Sequence, residues 1–124
     1  MQRIINLPSR HIFVFGNNRA GLHGAGAAAD AKQYFRAKQG YGEGIHGRSY
    51  ALPTKGYNVE TLSLDDIRWH VEKFLDTAAS LPYYTFVVTP VGCGLAGYTA
   101  ADIGPMFKGA YKNVVLPEEF LPYV

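Results

Sequence analysis

"FVFGNNRAGLHGAGAAADA", residues 13–31, decides how this chain is read. It opens on an apolar run suited to a buried strand and closes on an alanine-rich run suited to a helix, alanine being the best helix former. Between the two lie Asn17, Asn18, His23 and the glycines Gly16, Gly21, Gly24 and Gly26. A connection that only turns a corner needs one or two glycines. Four of them let the backbone take conformations closed to other residues and approach a ligand closely.

The rest of the chain repeats that alternation. "HIFVFG" (11–16) reads as a strand and Ala25 to about Ala37 as a helix with Ala31, Tyr34 and Phe35 on its packing side. "SYALP" (49–53) is a second strand, stopped by Pro53, which cannot donate to a ladder. Ser63 starts a long helix, with Asp66 three residues on in a capping-box-like arrangement, and Ile67, Val71, Phe74, Leu75 and Ala78 follow at helical spacing. "TFVVTP" (85–90) is the strongest strand, Thr99 to about Ala110 a third and weaker helix, and "NVVLP" (113–117) a last strand. The opening "QRIINL" reads as an edge strand. Strands alternating with helices define an α/β protein with a largely parallel sheet, whose continuous apolar strands are covered on both faces. Ligands of such sheets bind beyond the carboxyl ends of the strands.

Composition narrows the function classes. The 124 residues suit a single domain spanning 1–124, and 48% apolar with 18% charged residues describes a globular chain. A net charge of +2, from 12 basic and 10 acidic residues with no basic run, argues against DNA, and the same missing basic patch disfavours a single-stranded RNA binder. No stretch approaches the roughly 20 apolar residues of a membrane span, and the N-terminus lacks a signal-peptide core. The single Cys93 leaves no internal disulfide and no cysteine metal cluster. The chain thus reads as cytoplasmic, without a metal or a resident cofactor.

Eleven of the 14 glycines fall in three clusters, 16–26, 40–47 and 92–97, and the first and third each follow a strand and precede a helix. Consecutive N–H groups near a helix N-terminus can point at an anion, which the helix dipole also favours. Two such loops side by side could grip both phosphates of a diphosphate; the alternative is that their glycines serve only tight turns. "GCGLAG" (92–97) satisfies G-x-G-x-x-G, but it lies too late in the chain for a Rossmann first unit, and no Gly-Lys-Ser/Thr follows any glycine run.

Taken together, "NNRAGLHGAGAA" (17–28), "SYALPTK" (49–55) and "TPVGCGLAGY" (89–98) resemble the successive ligand loops of the macrodomain family, over roughly residues 11–107. The likeness is nearest to the small branch containing the terminal ADP-ribose protein glycohydrolase. It implies a three-layer α/β/α fold with a mixed, largely parallel sheet, and binding of ADP-ribose or a related nucleotide derived from nicotinamide adenine dinucleotide, free or protein-linked. Carried over by position, Asn18 lies near the distal ribose, and Gly24, Ala25 and Gly26 form one wall of the diphosphate site. Gly92, Cys93, Gly94, Leu95, Ala96 and Gly97 form the other wall, with Tyr98 beside the ribose. Lys55 matches the lysine that attacks the anomeric carbon in the glycohydrolase branch.

The pattern also departs from that branch. Its resolving aspartate directly after "GCGL" is here Ala96, and the aspartate that follows the first glycine loop in the larger branch corresponds to a place near Ala28, with Asp30 two residues away. The acid that reads the adenine amine has no counterpart in residues 1–11, where Asn6 is a candidate substitute. His23 is a candidate general base or else an exposed loop histidine. Cys93 is a candidate nucleophile, activated by a helix N-terminus, or a small residue in a crowded turn. Lys55 is a nucleophile, or else a solvated loop lysine or a phosphate contact. Tyr34, Tyr41, Tyr50 and Tyr57 line a base pocket or pack the core, and "YGEGIHGRSY" (41–50) reads as a flap whose His46 or Arg48 touches phosphate. Three functions follow: a nucleotide-binding module, an ADP-ribosyl glycohydrolase using Lys55, and a protein that sequesters a free signalling nucleotide, cyclic ones included.

Overall fold

A computed structural model describes residues 3–124. Strand β1 (His11–Asn18) is followed by helix α1 (Gly26–Tyr34), β2 (Gly44–His46), β3 (Ser49–Lys55), helix α2 (Leu64–Ala79), β4 (Thr85–Val88), α3 (Ala100–Ile103) and β5 (Val114–Val115). Tighter 3-10 segments occupy Gly104–Phe107 and Glu118–Tyr123. The sheet order is β2-β3-β1-β4-β5, with β2 antiparallel to β3 and every other pair parallel.

Alternation along the central strands makes two cores. Ile12, Val14, Tyr50, Leu52, Phe86 and Val88 face α2 and the C-terminal segments, where Phe74 meets Tyr50 edge-on at 4.9 Å. Phe13, Phe15 and Ala51 face α1, and Phe13 stacks on Phe35 at 4.4 Å. The result is three layers, helix–sheet–helix. α2 starts as its sequence requires: Ser63 Oγ accepts from the Asp66 N–H at 3.1 Å, and Ile67, Val71, Phe74 and Ala78 are buried. Truncating Phe74 to alanine would cost about 3–5 kcal/mol, a large share of an ordinary domain's net stability.

Several boundaries differ from the sequence reading, each for a local reason. β3 passes through Pro53 to Lys55, because β2 ends opposite Ala51 and leaves Pro53 with a free edge on that side. α1 stops at Tyr34, three residues before Ala37: Arg36 adopts a left-handed φ of 59° and the Ala37 N–H bonds the Ala31 carbonyl. α3 is a single turn, capped by Thr99 and Asp102, and tightens into 3-10 geometry at Pro105, which has no N–H to continue an α-helical ladder. β4 ends at Val88 and β5 has two residues. Residues 3–7 join no strand, and Gln2 lies outside the described residues. The segment read as a flap contains β2 and its turn into β3. Its Arg48 donates to the Leu7 and Pro8 carbonyls at 2.8 and 2.9 Å, so it fixes the N-terminal segment and does not reach for phosphate.

Candidate functional site

Strands β1, β3 and β4 point their carboxyl ends the same way, and a cavity of about 590 Å³ opens there. That volume lies within the range of small-molecule sites. Its floor includes Gly16, Asn17, Asn18, Thr54 and Thr89 at the strand ends. One wall is Gly24 to Ala28, the other Val91, Gly92 and Gly94 to Ala96.

The first wall is the start of α1. Ala25 occupies the N-cap position with extended backbone and no side-chain cap, and the first turn carries no acidic residue. A helix N-terminus leaves its first N–H groups without intrahelical partners, and among the described residues those of Ala25, Gly26 and Ala27 donate to nothing. In the facing wall the loop closes on itself, with Gly97 N–H to the Gly94 carbonyl at 3.0 Å and Tyr98 N–H to the Gly92 carbonyl at 2.9 Å. This leaves the N–H groups of Gly94, Leu95 and Ala96 uncommitted among the described residues. Two sets of amide donors thus border one hollow, an arrangement suited to an anion with more than one oxygen-rich centre.

The glycines divide by what surrounds them. A Cβ at Gly92, where φ is +77°, would meet the Ile103 side chain at 3.0 Å, so that glycine serves the turn. At Gly24 and Gly94 φ lies outside the left-handed region and a Cβ would meet nothing within 4 Å. Neither backbone conformation nor protein packing calls for glycine at those two places, yet both border the cavity.

Nine of the residues singled out from sequence line the cavity: Asn18, Gly24, Ala25, Gly26 and Lys55 on one part, Gly92, Gly94, Leu95 and Ala96 on the other. Asn18 and Lys55 are cross-strand partners, and the Arg19 N–H holds the Lys55 carbonyl at 2.9 Å. The Asn18 amide is already used locally, accepting from the Leu22 N–H and donating to its carbonyl, both at 3.0 Å, which fixes the start of the first wall. Lys55 is the single charged side chain of the lining, and no carboxylate joins it among the described residues.

His23, Cys93, Gly97 and Tyr98 do not line the cavity. His23 turns under its loop, 5% exposed, edge-on to Phe15 at 5.5 Å and stacked on His46 at 5.9 Å. Burial lowers both histidines' pKa below the ordinary 6.5, and the His46 charge and Lys32 add to the effect at His23. His46 Nδ1 donates to the Gly44 carbonyl at 3.2 Å and the ring stacks on Tyr41, outside the cavity lining. Tyr98 donates its hydroxyl to the Leu62 carbonyl at 2.7 Å and packs on the core. Burial raises the Cys93 thiol pKa, and the nearby Glu119 and Asp102 charges push the same way, the reverse of helix-terminus activation. Asp30 is held by Arg3 at 2.7 Å beside a separate, smaller hollow, and Asn6 is exposed and outside the cavity. Of the four tyrosines, Tyr50 is core, Tyr41 stacks on His46, Tyr57 is 69% exposed and Tyr34 lies under Arg3; none lines the cavity. The individual site residues named from sequence did not include Asn17, Leu22, Ala27, Ala28, Thr54, Thr89, Pro90 or Val91, although all of these lie within the three quoted loops, nor Val59, which lies outside them.

No protein-family model and no curated protein matches this sequence. Among solved structures, DarTG of Thermosipho africanus in complex with ADP-ribose matches with a TM-score of 0.61 at 17% identity over 90% of this chain. The chain spans 39% of that protein's length. The fold is macrodomain-like: a mixed, mostly parallel five-stranded sheet between helical layers. No helix among the described residues is long and apolar enough to cross a membrane.

Proposed function

We propose that this protein binds ADP-ribose or a closely related nucleotide derived from nicotinamide adenine dinucleotide, with the diphosphate between the start of α1 and residues 92–96. The observation that carries the reading is the pair of facing walls whose glycines, Gly24 and Gly94, are open and whose amides are uncommitted. The fold shared with an ADP-ribose complex supports it. In this reading Lys55 and Asn18, both in the cavity lining, take the distal ribose, and Lys55 supplies the charge a bound dianion needs. Calorimetry with ADP-ribose, ADP and AMP tests this. ADP-ribose should bind tightest, and absence of heat with all three overturns the diphosphate assignment.

The position of Lys55 in the cavity favours a second reading, hydrolysis of ADP-ribosyl esters. As the free amine it would form a bond to the anomeric carbon while the bond to the modified side chain breaks. Water would then have to release the ribose from the amine with help from a base. The resembling branch has its carboxylate for that step at the position of Ala96, which lines the cavity here without one. Binding without efficient turnover is therefore the reading we favour. Release of labelled ADP-ribose by wild type, Lys55→Ala and Ala96→Asp separates the two: brisk wild-type release abolished by Lys55→Ala would establish the enzyme.

A further inference from the structure

The cavity has two unlike ends. Toward Thr89 and Pro90 it borders the smaller hollow of Arg3, Phe13 and Asp30. Toward Lys55 it is rimmed by Leu22, Val59 and Leu95, contributed by three different loops. Contacts between those loops bring the three to one place. The Asn18 side chain holds Leu22, Lys55 pairs across to Thr61 at the foot of the turn bearing Val59, and Thr61 Oγ1 donates to the Ala96 carbonyl at 3.3 Å. All three rim residues are large apolar side chains that the folded chain leaves exposed, Leu95 at 77%.

Val59 adds an independent observation. Its φ is +63°, a left-handed conformation that a β-branched residue adopts rarely, and no packing on the core explains it. Glycine or asparagine would sit there without strain. A strained residue at a cavity mouth points to a role for its side chain. Here that side chain is an isopropyl group facing the lining.

We infer that the Lys55 end of the cavity receives a neutral ring carried on the distal ribose, clasped by Leu22, Val59 and Leu95. The inference rests on the nucleotide reading above and goes on to name the class of ligand: an ADP-ribose derivative with an uncharged, largely apolar substituent at its anomeric carbon. Charge selects the neutral form. Lys55 is the only charged side chain of the lining, so a cationic ring placed beside it lies near a like charge and finds no carboxylate in the lining to pair with. A bare anomeric hydroxyl leaves the apolar rim in water.

The probes are ADP-ribose, NADH, whose dihydronicotinamide ring is neutral, and NAD+, whose ring is cationic, each measured by calorimetry on the full chain. NADH should bind about tenfold or more tighter than ADP-ribose, as expected for covering on the order of 60–100 Å² of apolar surface, and NAD+ should bind more weakly than NADH. Val59→Asn, which also relaxes the backbone, and Leu22→Ser should each bring the NADH to ADP-ribose affinity ratio toward one. ADP-ribose binding with no gain for NADH, NAD+ binding as tightly as NADH, or ratios unchanged in both variants would each overturn the inference while leaving the nucleotide reading intact. Binding of none of the three would overturn that reading itself.

Discussion

Replacing Ala25 by aspartate should stabilise the fold and destroy ligand binding, and the opposite signs make it a demanding test. Ala25 is the exposed N-cap residue of α1, with φ −154° and ψ 164°, the extended backbone usual for a capping aspartate, and it is followed by Gly26 at a left-handed φ of 59°. Among the described residues the first N–H groups of α1 have no protein partner, and the first turn carries no acidic residue to balance the helix dipole. Changing alanine to a capping residue gains about 0.5–2 kcal/mol, with a negative charge at the N-terminus within that sum. For a chain of this length 1 kcal/mol moves the thermal midpoint by about 3–6 °C. The same carboxylate, however, occupies the donors assigned to the diphosphate and repels it. Losing two charge-assisted hydrogen bonds at about 1.5–3 kcal/mol each weakens binding by at least about 10²-fold. Thermal unfolding without ligand and calorimetry with ADP-ribose read the two effects separately. A variant that melts higher yet binds ADP-ribose like wild type would show that the start of α1 is not the anion site. A variant that melts lower would mean the cap geometry differs from that described.

Further outcomes follow from the same features. Gly94→Val should fold, since its Cβ meets nothing within 4 Å, but should lose ADP-ribose binding by calorimetry because the side chain fills ligand space; a folded variant that binds normally would reduce these glycines to turn formers. Lys55→Ala should weaken ADP-ribose binding about 5- to 50-fold, with the deficit shrinking as salt is raised, and Ala96→Asp should speed any release of ADP-ribose by about 10²–10⁴-fold if Lys55 forms an adduct. His23 and His46 are buried with depressed pKa values and three of their four ring nitrogens unpartnered in hydrogen bonds. Because the unfolded chain takes up those protons first, stability should be flat above the ordinary value of 6.5 and fall as the pH drops through and below it, and chemical denaturation at several pH values should show His46→Phe losing part of that dependence.

Local chemistry in the sequence was enough to place the alternating strands and helices, the Ser63 cap and the two glycine loops at strand ends, because each depends on neighbours three or four residues away. Of the nine candidate residues that line the cavity, the loop glycines were legible because residues that follow parallel strands gather at the sheet's carboxyl edge, whereas Asn18, Ala25, Lys55, Leu95 and Ala96 came from the resemblance to macrodomain loops. Only the tertiary structure separated Gly94, which faces open space, from Gly92, which faces Ile103, since the neighbour that decides lies in a different element. Only it turned His23 inward against His46, tied Tyr98 to Leu62 and bound Asp30 to Arg3. Each of those side chains has a polar group that must find a partner or be excluded from water, and the groups that decide its fate come from 23 to 36 residues away in the chain. Periodicity and propensity carry no record of such pairings.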